Sequence, residues 1–288
     1  MIGRLAIALM WLLHGLPLAW QGALGSLLGG IVRRVNRERR HVTDTNLRLC
    51  FPALGDAQRQ ALARRHFALF GRSAVERGIL WWAPAARIRR LVRVEGLEHL
   101  DALRGTPAIL LAPHFVGLDM GWTRLCLERD MVTMYARLKS PAFDRAFLAG
   151  RRRFGDQRLF SRQEGLRPLL AELRAGRPCY YLPDMDYGAR DAAFVPFFGV
   201  PAATVTALSR LARIAGARVL PVVTRREAGG YVTVIGAPWE NFPSGDDAAD
   251  AARMNAEIER AIVAGDAAQY LWSHKRFKTR PPGEKAVY

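Results

Sequence analysis

Residues 107–119 have the sequence PAILLAPHFVGLD, which predicts a short buried strand followed by a loop and then a helix. The apolar run has the length of one strand and ends in a proline. His114 follows directly, and Asp119 lies five residues further along the chain. Residues five apart on one continuous helix point about 140° away from each other. His114 and Asp119 can therefore meet only if the chain turns at His114 and the helix begins near Gly117.

The pair of His114 and Asp119 fits a general base, in which a carboxylate orients an imidazole at the carboxyl end of a strand. No serine or cysteine lies next to His114 in the sequence, so the nucleophile would be a hydroxyl of the substrate. That is the chemistry of acyl transfer to an alcohol. The alternative is a structural hydrogen bond, and the spacing alone does not separate the two.

Beyond residue 90, short apolar runs alternate with stretches of helical periodicity. This alternation predicts βαβ units, and hence an α/β fold with a mixed, largely parallel sheet flanked by helices. The strand candidates are Leu91–Val94, Ala108–Leu111, Met131–Tyr135, Cys179–Leu182, Arg218–Val223 and Val232–Ile235. The helix candidates are Arg37–Leu49, Asp56–Trp82, Gly117–Glu128, Ala142–Phe154, Glu164–Ala175, Ala203–Ala215 and Asp247–Ala264. In open α/β sheets, sites lie at the carboxyl ends of strands, which is where His114 falls.

The N-terminal segment carries a membrane signal, because residues 5–32 hold no charged side chain. That length exceeds the roughly 20 apolar residues that span a bilayer core, although Pro17 and several glycines interrupt it. Arginines follow at positions 33, 34, 37, 39 and 40, which is typical of a cytoplasmic flank. The sequence predicts an N-terminal hydrophobic membrane helix over residues 1–33, spanning or lying in the interface, and a cytoplasmic-face domain over 34–288. The alternative is a buried hydrophobic hairpin.

The chain is strongly basic, with 43 Lys and Arg against 26 Asp and Glu and a formal net charge of +17. Such a charge favours an anionic partner: nucleic acid, an anionic lipid surface or an acidic carrier protein. The stretch Leu271–Pro282 interleaves aromatic and basic residues, as nucleic-acid binders and bilayer-surface proteins both do. Because nucleic-acid binding does not require a long uncharged N-terminal segment, we expect a membrane partner and no nucleic acid.

Several charged residues follow strand candidates and so fall on the same rim as His114. A clamp on phosphate groups would use arginines and a lysine, and the candidates are Arg137, Lys139, Arg151, Arg153 and Arg162. Asp184 and Asp186 come after the strand candidate at Cys179, where they would hold the arginines in place. No other ligand types lie at metal spacing, so we predict no bound metal. The alternative for the basic residues is a solvated charged face.

The segment Phe194–Gly199 is apolar and contains Pro196. It fits the wall of a pocket for an acyl chain, but the sequence alone slightly favours the alternative of ordinary core.

Together these blocks resemble the late acyltransferases of lipid A biosynthesis, the lauroyl/myristoyl acyltransferase family, within the wider lysophospholipid acyltransferase-like group. The resemblance runs in order through nearly the whole chain. It rests on the His-x4-Asp pattern at 114 and 119 and on residues 46–52, 150–155, 183–188, 194–199 and 272–281.

The resemblance implies a glycerolipid acyltransferase-like fold and an enzyme at the cytoplasmic face of the cell inner membrane. It would transfer a fatty acyl chain from acyl carrier protein to a hydroxyl of a lipid A precursor, without a cofactor. His114 would be the general base and Asp119 its orienting carboxylate. The arginine that the family commonly has after the next strand is shifted by one here, to Arg137. This shift leaves open another lipid acceptor, such as a lysophospholipid, an amino-acid-headed lipid or a glycolipid.

Overall fold

The computed structural model describes residues 2–288, in which a seven-stranded sheet carries helices on both faces and a separate two-stranded hairpin lies outside it. The helices are α1 (Ile2–Leu13), α2 (Leu18–Val35), α3 (Arg37–Cys50), α4 (Asp56–Trp82), α5 (Ala85–Leu91), α6 (Leu97–Asp101), α7 (Leu118–Leu125), α8 (Pro141–Arg151), α9 (Arg167–Arg174), α10 (Ala207–Ala215) and α11 (Asp247–Ala264). The strands are β1 (Val92–Glu95), β2 (Ala108–Leu111), β3 (Val132–Tyr135), β4 (Arg158–Ser161), β5 (Cys179–Tyr181), β6 (Ala192–Phe197), β7 (Val200–Val205), β8 (Arg218–Glu227) and β9 (Gly230–Ile235).

The sheet has the strand order β1-β9-β8-β2-β5-β3-β4. Its neighbours pair in parallel except β8 and β9, which are antiparallel. This is the mixed, largely parallel sheet that the alternating pattern predicts. β2 lies near its centre between β8 and β5, and all four of its residues are buried. A strand covered on both faces needs apolar side chains on both, which explains the unbroken apolar run.

The two faces of β2 belong to two separate apolar cores. Ile109 and Leu111 pack in one cluster with side chains of α9, α10 and α11. Ala108 and Leu110 pack in the other with side chains of α6 and α7. The strand therefore holds a fixed position, and the loop that follows it starts from a rigid support.

The prediction of a single membrane-spanning helix at the N-terminus is wrong. Residues 2–35 form two helices, α1 and α2, which are separated by a turn at Pro17. Proline has no N–H to continue a helical ladder, so one long helix cannot pass through this position. No helix within residues 2–288 is long and apolar enough to cross a membrane. Met1 of the predicted segment lies outside the described residues.

One face of α2 packs directly against the backbone of α4. A Cβ placed on Gly29 would lie 1.9 Å from the carbonyl oxygen of Phe67, and one on Gly71 would lie 2.1 Å from that of Gly25. Only glycine permits so close an approach. The opposite face of α2 stays exposed and is strongly apolar, with Trp20 at 66% and Leu27 at 64% exposure.

Three strands were not predicted from the sequence: β4, β6 and β7. The predicted helix over Ala203–Ala215 begins only at Ala207, because residues 200–205 pair with β6. Phe194–Gly199 forms most of β6 and the turn after it, and Phe197 is fully buried in the core. This segment does not line the cavity at His114, so the ordinary-core interpretation is the correct one.

The aromatic and basic stretch near the C-terminus is not a surface tail. Trp272 and Phe277 are fully buried in the same core as Leu111. Arg276 is 2% exposed and donates hydrogen bonds to the carbonyl oxygen of Ala203 (2.9 Å) and to Thr204 Oγ1 (2.8 Å). These two partners lie more than 70 residues away, so spacing could not reveal them.

Candidate active site

His114 lies in the loop that joins β2 to α7, with both its backbone and its ring held by other segments. The backbone N–H donates to Asp184 Oδ2 at 2.9 Å, and its carbonyl oxygen accepts from the N–H of Leu271 at 2.9 Å. Nδ1 lies 2.7 Å from Asp184 Oδ1. Because an ionised carboxylate only accepts hydrogen bonds, Nδ1 carries the proton and Nε2 is the basic nitrogen. Nε2 has no hydrogen-bond partner in residues 2–288 and stays available for a substrate proton.

The chain turns at His114 and α7 begins at Leu118, as the spacing requires, but Asp119 does not bond the imidazole. Asp119 Oδ2 accepts from Arg77 Nη2 at 2.8 Å, and its Oδ1 accepts from Arg151 Nη2. Asp119 lies in the first turn of α7, next to the helices α4 and α8 that carry these two arginines. The predicted orienting contact therefore belongs to Asp184, which the sequence placed among the substrate-binding candidates.

The carboxylates of Asp184 and Asp119 are both ionised at neutral pH, and different neighbouring groups stabilise the charge of each. Burial alone would raise the pKa of Asp184, but the charge of His114 and its hydrogen bonds lower that pKa to about 2. Burial opposes ionisation of Asp119 too, and the guanidinium groups of Arg151 and Arg77 lower its pKa to about 2. Burial lowers the pKa of the neighbouring His274 to about 4, so that ring is neutral at neutral pH. His114 is thus the imidazole that Asp184 holds at the cavity.

Two of the predicted arginines reach the cavity in front of His114. Arg151 ends α8 and is 7% exposed, with its guanidinium 4.5 Å from the ring centroid of Phe147. Its Nε is buried and has no partner among residues 2–288. Arg162 lies at the cavity rim with its guanidinium stacked 3.9 Å from the centroid of Tyr187. These two cations are placed to meet a negatively charged group.

The other predicted cations lie elsewhere. Arg153 donates to the carbonyl oxygens of Leu80 (2.8 Å) and Ala83 (2.6 Å) at the end of α4, so both its terminal nitrogens are used structurally. Arg137 and Lys139 are exposed in the loop between β3 and α8 and do not line the cavity. Of the five candidate cations, the structure therefore brings Arg151 and Arg162 to this cavity and leaves the other three outside its lining.

Asp186 also has a structural contact in place of a substrate contact. Its Oδ2 accepts from the N–H of Thr279 at 2.7 Å, and its Oδ1 accepts from Thr279 Oγ1 at 2.8 Å and from the N–H of Gly188 at 2.9 Å. It holds no arginine and fixes the C-terminal segment beside the site. Asp184 and Asp186 look alike in sequence, yet only the first contacts His114.

A cavity of about 400 Å³ opens at the carboxyl ends of β2, β3 and β5. This volume falls in the range of small-molecule sites. Its polar lining includes His114, Asp119, Arg151 and Arg162, and its apolar lining includes Leu118, Met134, Phe147, Leu166, Leu169, Leu182, Met185, Val205 and Leu211. The arrangement suits an apolar chain whose reactive end lies at the imidazole.

Two residues of the site were not among the candidates that the sequence provided. Arg77 lies inside the long helix α4 and reaches Asp119 across 42 positions of the chain. Asn46 donates from Nδ2 to the carbonyl oxygens of Trp272 (2.8 Å) and His274 (2.7 Å), which fixes the segment that packs against Asp184. Asn46 belongs to one of the blocks that carry the resemblance, and this was the only sign of its importance.

Comparison with known proteins gives one consistent result. The family model described as bacterial lipid A biosynthesis acyltransferase matches residues 1–279. The chain is 33% identical over 289 residues to the lipid A biosynthesis lauroyltransferase of Escherichia coli (strain K12), covering 99% of this chain and 94% of that protein. It is 32% identical over 287 residues to the palmitoleoyltransferase of the same organism, covering 98% and 92%. It is 32% identical over 266 residues to the myristoyltransferase, covering 91% and 82%.

Proposed function

The chain belongs to the bacterial lipid A biosynthesis acyltransferases and is an acyltransferase, and on this premise we propose that it transfers a fatty acyl chain from acyl carrier protein to a hydroxyl of a lipid A precursor. One observation carries the proposal. The Nδ1 of His114 is held by the buried carboxylate of Asp184, and Nε2 is left free at a largely apolar cavity of about 400 Å³. A base beside an acyl-sized cavity, with no nucleophile of its own, fits direct transfer to a hydroxyl.

The mechanism needs one base and no covalent enzyme intermediate. His114 Nε2 takes the proton of the acceptor hydroxyl as that oxygen attacks the thioester carbonyl. The C–S bond then breaks, and the imidazolium returns the proton to the departing thiolate. Asp184 stabilises the imidazolium and keeps the productive tautomer. A proton transfer of this kind contributes about 10²–10⁴ in rate.

The negative charge that develops on the carbonyl oxygen needs a donor in the cavity. Arg162 lines the cavity and is free of an ion-pair partner within residues 2–288. It is our candidate for stabilising this oxyanion. Asp119 acts in the proposal as a positioning residue, because it bonds both Arg77 and Arg151 and not the base.

We place the enzyme at the cytoplasmic face of the inner membrane, in contact with one leaflet. The support is an apolar surface on α1 and α2 whose large side chains are exposed: Leu5, Leu9, Trp11, Leu12, Trp20, Leu24, Leu27, Leu28, Ile31 and Val35. Arg33 and Arg34 end α2 beside it, and each basic residue near an anionic leaflet contributes about 1 kcal/mol. The net charge of +17 also suits an acidic carrier protein.

The test is an in vitro assay with a panel of acyl carrier protein thioesters and a lipid A precursor that lacks its secondary chains. Wild-type protein should add one acyl chain, and His114→Ala should lose about 10²–10⁴ of the rate, because the base is gone. Mass spectrometry of the lipid product measures both.

The matched control is His41→Ala, which removes an exposed histidine of α3 and should retain full turnover. Near-normal transfer by His114→Ala would reject the mechanism. Failure of the wild-type protein to acylate the lipid A precursor with any thioester would reject the substrate.

A further inference from the structure

A second cavity of about 410 Å³ lies beneath α1, and Arg77 in its lining bonds Asp119, which lines the first cavity. Its walls come from α1, α2, α4 and the start of α8. The lining is apolar apart from Ser73 and Arg77, and it consists of Ala6, Leu9, Met10, Leu13, Leu28, Phe70, Ala74, Val75, Trp81, Leu138 and Phe143. The mechanism proposed above makes no use of this cavity.

The cavity exists because α1 and α4 are not in contact along the whole length of α1. At one point the two helices touch: a Cβ on Gly78 would lie 2.5 Å from the carbonyl oxygen of Met10. One turn earlier in α4, Ser73 and Ala74 are too small to fill the space in front of α1. Apolar surface left open to water is unfavourable by about 25 cal/mol per Å², so an apolar ligand would gain by covering it.

The mouth of the cavity opens onto the exposed apolar surface of α1 and α2. Leu9 and Leu28 belong to both, since they line the cavity and are also 54% and 41% exposed. A hydrocarbon chain in a leaflet that contacts this surface could enter without crossing water.

The inner end of the cavity reaches the charged residues of the active site through Arg77. Its guanidinium lines this cavity and donates to Asp119, whose carboxylate lines the cavity of His114. Arg77 and Arg151 carry two positive charges against the single negative charge of Asp119. The Nε atoms of both arginines are buried without a hydrogen-bond partner in the described part of the chain. An anionic lipid headgroup would complement this excess of positive charge.

We propose that the second cavity binds an acyl chain already present on the lipid acceptor, while the acceptor headgroup contacts Arg77 and Arg151. This inference rests on the proposed function, because it takes the acceptor to be an anionic lipid that carries acyl chains. The first cavity then holds the donor chain, and the ion pairs of Asp119 separate the two chains. The acceptor hydroxyl is thereby presented to His114 from the membrane side.

Photocrosslinking tests the site without requiring turnover. The probe is the lipid A precursor with a diazirine at the methyl end of one acyl chain, incubated with the full-length protein and irradiated. Peptide mapping by mass spectrometry should find adducts in the segments around Leu9–Leu13 of α1 and Phe70–Trp81 of α4. Adducts confined to the lining of the first cavity, or to the exposed face at Leu24 and Leu27, would overturn the proposal.

A cavity-filling variant tests the same site through kinetics. Ala74→Phe places a ring in the cavity, and Ala74 is exposed, so the substitution need not disturb the core. Losing the burial of about two methylene groups should raise the KM for the lipid acceptor about tenfold, with the KM for the thioester donor unchanged.

Ala57→Phe is the matched control, since Ala57 is exposed at the start of the same helix and lies outside the cavity. An acceptor KM within twofold of wild type for Ala74→Phe would overturn the proposal. The proposed function and the proposed acyl-chain site can be rejected independently. A protein that never acylates the lipid A precursor refutes the function. The positions of the crosslinks test the site whether or not the protein turns over.

Discussion

Asp184 and Asp119 belong to one site, and both have a pKa of about 2, yet they bond different partners. Asp184 is 1% exposed and bonds the ring and the backbone of His114. Asp119 bonds two arginines from α4 and α8. One carboxylate therefore supports the base and the other organises positive charge, although the spacing from His114 favoured Asp119 for the first role. The comparison shows that closeness in sequence is a poor guide to which carboxylate bonds an imidazole.

The largest effect should come from Asp184→Asn. The amide removes the negative charge that stabilises the imidazolium and can favour the wrong tautomer, so kcat should fall about 10²–10⁴-fold, at most as far as in His114→Ala. The KM for the acceptor should change little, because Asp184 contacts neither arginine of the cavity. Steady-state kinetics with the acyl carrier protein thioester and the lipid A precursor measure this. A loss of less than tenfold would mean that Asp184 has no essential role in orienting His114.

Asp119→Asn should have a smaller effect and of a different kind. Arg77 and Arg151 lose the carboxylate that positions them, so the acceptor headgroup should no longer meet both guanidinium groups. Its KM should rise, with an overall loss of about 10²-fold in kcat/KM. The pH dependence of kcat should keep its wild-type shape, because the His114–Asp184 pair remains intact. If Asp119→Asn instead lowers kcat as much as Asp184→Asn and shifts that pH profile, Asp119 acts on the base and the distinction between the carboxylates fails.

The smallest effect on activity should come from Arg153→Ala. Arg153 belongs to the same arginine-rich block as Arg151, but it donates to main-chain oxygens at the end of α4. Removing it should lower the free energy of unfolding by about 1–3 kcal/mol and leave kcat/KM within about threefold. Denaturant titration and the transfer assay measure the two quantities. A large loss of activity in a stably folded Arg153→Ala protein would place this residue in the substrate site after all.

The elements of the fold with the strongest local patterns were predictable. The helices Asp56–Trp82 and Asp247–Ala264 and the strand Ala108–Leu111 have the predicted limits. The strands β4, β6 and β7 were not predicted, since β4 has only two apolar residues, between an arginine and a serine, and prolines interrupt the other two. The N-terminal segment was mistaken for one membrane-spanning helix because an uncharged run indicates only its composition. Pro17 and the glycine contacts of α2 determine that it forms two packed helices.

The sequence by itself determined the α/β alternation, the position of His114 at the end of a buried strand and the membership in an acyltransferase family. These depend on local periodicity and on blocks of residues that lie in order along the chain. Only the tertiary structure decided which carboxylate bonds the imidazole, which arginines reach the cavity and that a second cavity lies beneath α1. Those facts depend on contacts such as Arg77 to Asp119 and His114 to Asp184, which span 42 and 70 positions. The residue pattern shows which chemistry each side chain is capable of. Which partner it contacts depends on how the helices and strands pack and on the direction in which they orient that side chain.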